Sequence, residues 1–558
     1  MLEHPVLPFL VAAVIVALSS RRIGAVVMLA APAVALYQLR TLDPDADRTL
    51  QFFGFELEPL RLDDLSTAFA YIFVVIAFLA GLFGTTILSR AERVAALLYA
   101  SFGVGVVLAG DLMTLFVMWE MKAVASAALI GLAGNSRAGA AAYRYLIFHI
   151  VGGTLLLGGI LWHMSAGGSL TFEAFGTHGS ANLVLLAFLL SAAVPPLHAW
   201  LPDAYPAASI AGTVFLSAFT TKAAVYALLR GFSGTEALVV LGVAKALYGV
   251  VYAVLENDFR RLLGYHIVSQ VGFMVAAIGI GTAAAVNGAT AHAIAHILYK
   301  GLLLMGAGAL IHATGRQKLT ELGGLARAMP WVLGLYMVGA LSISGFPIFS
   351  GFVSKELIVD AASGDGRERI MWLLKLASVG TFLSIGLKLP WFAWGGPDRG
   401  IRVKPVPATM IAAMAVTAVA NVVIGLRPDV LYGLMPNPVD YQPFVGAKLS
   451  ETLQLLTFTG LAFWLLAKKL GGEPSVTLDT DWLYRSAPQR FAAATLPLVA
   501  PLQARRATWT HEVLAPMRSR IGSLGGRPGR PPEVTPTVAL GAISLFTVVV
   551  VLAFALVP

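Results

Sequence analysis

Apolar runs of roughly 20 residues follow one another along nearly the whole chain, separated by short polar or basic loops. A helix needs about 20 such residues to cross the hydrocarbon core of a bilayer. The pattern therefore predicts membrane helices, with ends placed to within a few residues. They are expected at 5–19, 24–38, 64–88, 92–109, 112–132, 141–163, 181–195, 209–229, 235–255, 262–281, 285–309, 331–359, 370–390, 407–425, 452–468 and 535–557.

Two of these runs are interrupted by residues that break helices. Pro195 and Pro196 end one run, and Ser344-Gly-Phe-Pro347 interrupts another. Backbone groups freed at such a break can be satisfied only beside protein or a cavity, so paired breaks in two halves of a chain indicate an inverted repeat with ion sites near the midplane. We predict an all-α polytopic membrane protein of about 14 core helices plus two at the C-terminus, in which spans four to eight and nine to thirteen are inverted five-helix repeats.

The predicted spans divide the chain into consecutive parts. N-terminal helices occupy 1–91, the first repeat 92–230, the second repeat 235–390 and further core helices 391–470. An Arg-rich, Pro-punctuated segment at 471–534 is predicted to be either an interfacial helix on the cytoplasmic face or a disordered basic linker. A last transmembrane helix completes the prediction at 535–558.

The basic residues of the loops lie on one side of this predicted topology, in clusters at 21–22, 90–93, 137, 260–261, 316–327, 399–404 and 468–469. The positive-inside rule makes that side cytoplasmic. The expected location is the cell's inner (plasma) membrane. The rule also accounts for the net charge of +9 without a nucleic-acid partner. The opposite side receives longer acidic or mixed loops, in which the alternating residues 50–57 predict a small hairpin.

Composition agrees with the membrane prediction, because 58% of the residues are hydrophobic and only 12% are charged. The mean hydropathy of +0.79 is too high for a soluble globule of this length. The chain has no cysteine, which excludes disulfides, thiolate metal sites, Cys-ligated iron–sulfur clusters and c-type haem attachment. Any redox chemistry of those kinds must belong to another subunit, and no bound cofactor or metal is predicted.

Several predicted membrane helices carry a titratable residue, which is costly at bilayer depth and indicates a functional site. Glu120 stands in the run Leu115-Phe-Val-Met-Trp-Glu-Met-Lys122, Lys222 follows an apolar stretch, and Lys355 with Glu356 follows the second break. A chain that accepts this cost repeatedly is expected to move ions. Lys375 and Lys388, near the ends of a span, are instead expected to extend to the interface.

His292, His296 and Lys300 form a second group of titratable residues. Their i, i+4, i+8 spacing places them on one face of a helix. This arrangement suits a proton relay, although structural hydrogen bonding and a metal site are alternatives. The metal alternative lacks an evident carboxylate as third ligand.

Several motifs in fixed order resemble those of the antiporter-like membrane subunits of respiratory complex I, membrane-bound hydrogenases and Mrp sodium/proton antiporters. They cover roughly residues 60–390. They are Trp119-Glu120, Pro196-Leu-His-Ala-Trp-Leu-Pro-Asp-Ala204, Thr221-Lys222, Asp258-Phe-Arg-Arg-Leu-Leu-Gly-Tyr265 and Ser344-Gly-Phe-Pro-Ile-Phe-Ser-Gly-Phe-Val-Ser-Lys355. The segments 202–208, 384–390 and 479–485 most resemble the D-type subunit of Mrp antiporters.

The resemblance implies a chain of protonatable groups along the membrane midplane, bridged by water. Glu120 would match the glutamate of the family's fifth helix, Lys222 the lysine of the eighth, and Lys355 the lysine of the broken twelfth helix at an exit half-channel. Lys300 with His292 and His296 would form the central relay. The implied partners are protons, sodium or another monovalent cation, the lipid bilayer and further membrane subunits of a complex.

The chain departs from the family at the first broken helix. The family carries a lysine five residues before the Pro-Leu-His motif, paired with the glutamate, and this chain has Ser191 there. Candidates for a substitute partner of Glu120 are His149, His198 and Lys122, although i,i+2 spacing places Lys122 on a different helical face.

Three functions remain open at this point. The first is the proton-conducting subunit of a Mrp-type antiporter, which is a transporter and not catalytic by itself. The second is a proton-translocating subunit of a redox complex similar to complex I or hydrogenase, or of a proton-coupled inorganic-carbon transporter. The third is a membrane scaffold that has lost transport, which the substitution at Ser191 keeps open.

Overall fold

The computed structural model describes residues 3–44, 46, 48–52, 54–176, 179–467, 470, 479, 480 and 482. The predicted last helix at 535–557 and most of the predicted basic segment at 471–534 lie outside the described residues. Within them the chain is almost entirely helical, and 12 helices are long and apolar enough to cross a membrane. The predicted all-α polytopic fold is confirmed.

The bundle begins with α1 (Leu7–Leu18), α2 (Arg21–Thr41) and α3 (Asp64–Gly84). A first block of five passes follows, made of α4 (Arg90–Leu108), α5 (Leu112–Gly131), α6 (Ala138–Ser165), α7 (Gly179–Ser191) with α8 (Trp200–Ala207), and α9 (Ile210–Ala218) with α10 (Thr220–Phe232). The break between α7 and α8 was predicted. The break at Phe219, between α9 and α10, was not, because the sequence there contains neither Pro nor Gly.

A second block of five passes contains α11 (Ala237–Leu255), α12 (Phe259–Ile280), α13 (Ala283–Thr314), α14 (Pro330–Ile343) with α15 (Ser350–Gly364), and α16 (Glu368–Thr381) with α17 (Leu389–Ala393). A π-helix, Phe382–Lys388, joins the last two. After this block come α18 (Ala408–Leu426), α19 (Pro428–Tyr432) and α20 (Gly446–Leu466). Each block has five passes, and in each the fourth pass is interrupted by a non-helical segment. An odd number of passes makes the second block begin on the opposite side from the first.

Contacts near the helix ends agree with the predicted order in which successive spans cross the membrane in opposite directions. At the basic side, Arg93 on α4 donates hydrogen bonds to the backbone carbonyls of Arg21 and Thr85. At the opposite side, Arg230 at the end of α10 pairs with Asp63 just before α3. Residues that the alternation of helices assigns to one face therefore meet at that face.

Helices α12 and α13 form the centre of the bundle, since 100% and 94% of the residues in their apolar stretches are buried. Glycines allow α11 and α12 to approach closely, because a Cβ atom at Gly242 or Gly272 would overlap the facing backbone. Small residues have this role in membrane helix pairs generally. The central helices are thus shielded from lipid, which is where ionisable side chains can be accommodated.

The predicted hairpin at 50–57 is confirmed as β1 (Leu50–Phe52) paired with β2 (Phe55–Leu57). Residues Gln51–Phe55 belong to a second unit that continues from Thr480. The charged residues of the membrane helices all lie in the main body, Met1–Leu50 and Glu56–Asp479.

Candidate functional site

Six titratable side chains that were predicted to carry ions lie inside the main body. We call this set the polar axis, and it consists of Glu120, Lys222, His292, His296, Lys300 and Lys355. The lysines and histidines are at most 2% exposed, and Glu120 is partly buried. The charges of Lys222 and Lys355 both act on Lys300. The lysine of the first block, that of the central helix and that of the second block therefore form one electrostatically connected set.

Glu120 lies in the middle of α5 with its carboxylate against Gly153 of α6. A Cβ atom at residue 153 would overlap this carboxylate, so only glycine leaves room for the side chain in its present position. The Glu120 Oε1 atom is buried and has no hydrogen-bond partner among the described residues.

Lys122, two residues further along α5, is fully buried. Its ammonium nitrogen lies 3.7 Å from the centroid of the Trp119 ring, in a cation–π contact. Its charge also acts on the Glu120 carboxylate. Of the substitute partners predicted for Glu120, Lys122 is therefore the one that interacts with it electrostatically, despite the i,i+2 spacing.

A network of hydroxyl groups connects three helices beside Glu120 to the start of α10. Tyr145 on α6 contacts the hydroxyls of Ser126 and Thr220 at 2.9 and 3.0 Å. Thr220 in turn lies 2.6 Å from the Tyr99 hydroxyl of α4. His149 stacks on Tyr145 and bonds its backbone carbonyl. Sequence reasoning missed the hydroxyl groups, because tyrosine and threonine in apolar helices give no charge signal.

Lys222 lies at the break between α9 and α10. Its ammonium donates a hydrogen bond of 2.5 Å to the carbonyl of Ser217 and a longer one to Thr221. The C-terminal end of a helix, here that of α9, leaves carbonyls without partners inside the helix and carries partial negative charge. A cation is therefore stabilised there.

Lys355 repeats this arrangement in the second block. It lies on α15, and its ammonium donates a hydrogen bond of 2.6 Å to the carbonyl of Ile343, the last residue of α14. The break that was predicted from Gly and Pro thus exposes the carbonyl that Lys355 binds.

The central helix α13 carries the predicted relay on one buried face. His292 contacts Ser354 on α15 at 3.0 Å and the Tyr299 hydroxyl at 3.3 Å. Both ring nitrogens of His296 and the Lys300 ammonium have no hydrogen-bond partner among the described residues. The part of the chain that the structure describes contains no cluster of three side chains able to hold a metal ion.

Glu356 interacts with a cluster of ionic groups on α15, α16 and α20, and its charge also acts on the neighbouring Lys355. Asp360 and Glu451 act on it electrostatically, as do Lys375 and Lys448. Lys448 pairs with Asp360, and Lys375 with Glu451. The structure thus places Glu356 in a different environment from its neighbour Lys355.

His198 lies in the break between α7 and α8, where it contacts Asp479 at 3.2 Å. Tyr248 and Tyr265 donate hydrogen bonds to the same carboxylate. Burial by itself raises the pKa of a carboxyl group, but these three donors outweigh it and hold the pKa of Asp479 well below its ordinary range. Sequence reasoning missed Asp479 as a contact of His198, because 281 residues separate the two.

Two further buried lysines bind carbonyls at helix ends. Lys388 donates to Val254 and Glu256 at the end of α11 and is 1% exposed, so the prediction that it extends to the interface is wrong. Lys245 on α11 donates to Ala193, in the break after α7. Sequence reasoning missed Lys245, although a charge inside an apolar run is the same signal that identified Glu120.

Several buried polar atoms along this region have no partner among the described residues: Glu120 Oε1, Lys122 Nζ, His149 Nε2, Ser191 Oγ, both ring nitrogens of His296 and Lys300 Nζ. Buried polar groups in native proteins are nearly always hydrogen bonded, to protein or to ordered water. We therefore expect water molecules to bridge these groups, which would connect them for proton transfer.

Comparisons with known proteins all point to one family. Residues 109–384 match the NADH:quinone oxidoreductase/Mrp antiporter transmembrane family. The chain is 34% identical over 281 residues to the D-type subunit of the Na(+)/H(+) antiporter of Alkalihalophilus pseudofirmus, covering 46% of this chain and 56% of that protein. It is 31% identical over 357 residues to the N-type subunit of the NADH-quinone oxidoreductase of Desulforudis audaxviator, covering 58% of this chain and 71% of that protein.

A solved structure also matches over nearly the full length. It is the archaeal membrane-bound sulfane sulfur reductase, a respiratory membrane complex, with a TM-score of 0.72 and 25% identity. The match covers 98% of this chain and 99% of the matching chain. The fold described above is thus that of a subunit in a larger membrane assembly.

Proposed function

Because the chain belongs to the NADH:quinone oxidoreductase/Mrp antiporter family, we propose that it is the proton-conducting subunit of a multisubunit monovalent cation (Na⁺)/H⁺ antiporter. Within that family the proposed role is similar to that of the D-type subunit of Mrp antiporters. The proposed location is the cell's inner (plasma) membrane, with the basic loops in the cytoplasm.

The observation that carries the proposal is the series of buried ammonium groups on the polar axis. Lys222 and Lys355 each bind a carbonyl at a helix break, and the charges of both act on Lys300. Like charges repel strongly in a low dielectric, so a proton arriving at one lysine favours proton release from the next. His292 and His296 can pass a proton along the same face of α13. Such a series suits proton movement across the middle of the bundle.

Among the described residues, no three His, Cys, Asp or Glu side chains cluster in a way that could hold a metal ion. We propose that the polar axis carries protons and that coupling to sodium or another monovalent cation involves the partner subunits. The solved relative, a chain within a larger membrane complex, supports an assembly of this kind.

A second candidate is a proton-translocating subunit of a redox complex. It is favoured by the 31% identity to a quinone oxidoreductase subunit, which is close to the 34% identity to an antiporter subunit. Since the chain has no cysteine, Cys-ligated iron–sulfur clusters would have to reside on partner subunits. Purification of the native complex separates the two candidates, because iron–sulfur partners are expected only for the redox complex.

The experiment that tests the proposal measures proton flux in inverted membrane vesicles containing the native complex, with a pH-sensitive dye. An imposed proton gradient is followed by addition of sodium, then of potassium or lithium. We expect cation-dependent dissipation of the gradient. A gradient that no cation dissipates, but that forms on addition of a reductant, would replace the antiporter proposal by the redox candidate.

Gly153→Ala is expected to lower this proton flux roughly tenfold, because the added Cβ atom must displace the Glu120 carboxylate. The overlapping atoms are the far end of a flexible side chain, so the helices themselves need not move. Flux in vesicles with equal amounts of complex is the measurement. Gly158→Ala on the same helix is the matched control, since its Cβ atom would meet open space. Equal flux in the two variants would contradict the prediction.

A further inference from the structure

Lys245 is a buried cation that the motifs of the sequence do not account for. It lies on α11, is fully buried, and donates a hydrogen bond of 2.6 Å to the carbonyl of Ala193. Ala193 follows the end of α7 and has a positive φ of 56°, so its carbonyl lies where the helix is broken. A positive φ at a residue other than glycine is uncommon.

Both broken helices have a lysine bound to a carbonyl freed at the break. In the second block, Lys355 binds the carbonyl of Ile343, the last residue of α14, at 2.6 Å, and Ile348 further along takes a positive φ of 71°. In the first block, α7 ends, Ala193 takes a positive φ, and Lys245 binds its carbonyl at the same distance. At the break of the second block the lysine comes from the broken pass itself. At the break of the first block it comes from the neighbouring helix α11.

The carbonyl that Lys245 binds is two residues from Ser191, the position at which the family resemblance implies a lysine. Ser191, two residues before Ala193, is fully buried, and its hydroxyl has no partner among the described residues. The charge of Lys222 acts on Lys245, so the two ammonium groups are coupled. Lys122 and Lys245 thus divide two tasks between them: Lys122 interacts with Glu120, and Lys245 occupies the break.

We propose that Lys245, on the first helix of the second block, is a proton-carrying residue that acts at the broken helix of the first block in place of a lysine at residue 191. Its neutral amine accepts a proton to form the ammonium that binds the Ala193 carbonyl. When Lys222 is itself a neutral amine, transfer of that proton to Lys222 restores the Lys245 amine and forms the Lys222 ammonium that binds the Ser217 carbonyl, with no change in oxidation state. This inference rests on the proposed function, since it places Lys245 in the same pathway as the polar axis.

Lys245→Gln is the decisive variant, because an amide keeps a donor for the Ala193 carbonyl but cannot carry a proton. We expect cation-driven proton flux to fall about a hundredfold in vesicles with wild-type amounts of complex. Lys388→Gln is the matched control, because Lys388 is an equally buried lysine that binds carbonyls at a helix end but lies outside the polar axis. The control is expected to keep flux within about twofold of wild type.

Wild-type flux in Lys245→Gln would overturn the proposal. So would equal losses of flux and thermal stability in Lys245→Gln and Lys388→Gln, since a purely structural contact would be lost in both. If Lys245→Gln does not assemble, Lys245→Arg is measured instead, because arginine keeps both the charge and the donors but hardly releases its proton. Loss of flux in Lys245→Arg supports the proposal, and full flux overturns it.

If Lys355→Ala abolishes flux while the Lys245 variants do not, this inference alone fails. If Lys355→Ala also keeps full flux, the proposed function fails.

Discussion

Lys355→Ala is expected to reduce cation-driven proton flux to the level of vesicles without the complex, while the protein remains in the membrane. The substitution removes a buried proton carrier and also leaves the Ile343 carbonyl at the end of α14 without its ammonium donor. The charge that acts on Lys300 from the second block disappears with it. Because a series of proton carriers fails at its weakest member, one missing lysine interrupts the whole polar axis. Dye-monitored flux in inverted vesicles, normalised to the amount of complex, measures this effect.

A matched control separates this result from a general effect of losing positive charge. Lys404 is exposed in the loop after the second block, and Lys404→Ala removes the same side chain from the surface. This variant is expected to retain wild-type flux. Normal flux in Lys355→Ala would contradict the pathway and support a scaffold without transport, which the sequence leaves open.

Glu120→Gln is expected to lower proton flux about a hundredfold, the second large effect. The amide has nearly the shape of the carboxylate, so the contact with Gly153 is preserved while the titratable group is lost. The charge that acts between Lys122 and Glu120 is also removed, which leaves Lys122 on the Trp119 ring without its acidic neighbour. Flux and thermal stability of the same purified complex would be measured side by side.

Two further variants make the Glu120 prediction specific. Glu120→Asp keeps the carboxylate on a shorter stem and is expected to retain part of the flux. Glu173→Gln makes the same change at an exposed loop position and is expected to have no effect. Loss of stability without loss of flux in Glu120→Gln would show that Glu120 has only a structural role.

Much of the candidate site could be predicted because isolated charges in apolar helices are conspicuous. Glu120, Lys222, Lys300 and Lys355 each interrupt an apolar run, and each lies inside the bundle. Lys388 shows the limit of that argument, since its position near the end of a span predicted an interfacial side chain. In the folded protein, the end of α11 lies beside the π-helix and supplies two carbonyls to its ammonium.

Residues that act through distant neighbours could not be predicted. Asp479 contacts His198 across 281 residues, and Thr220 joins tyrosines from α4 and α6. Neither hydroxyl groups nor a carboxylate outside the apolar runs produce a periodic pattern along the chain. The break at Phe219 was hidden for a related reason, because the backbone there departs from a helix without Pro or Gly.

The sequence by itself determined that this protein is a helical membrane protein, which side of it is basic, where two helices break and that the residues of the polar axis lie inside. These properties follow from local hydrophobicity, charge and backbone restriction, and each is encoded by neighbouring residues. Only the tertiary structure decided which carbonyls four of the buried lysines bind and that Lys245 approaches the break beside Ser191. Those pairings join separate helices, and a lysine side chain finds its partner only when packing has brought the broken helix within its reach.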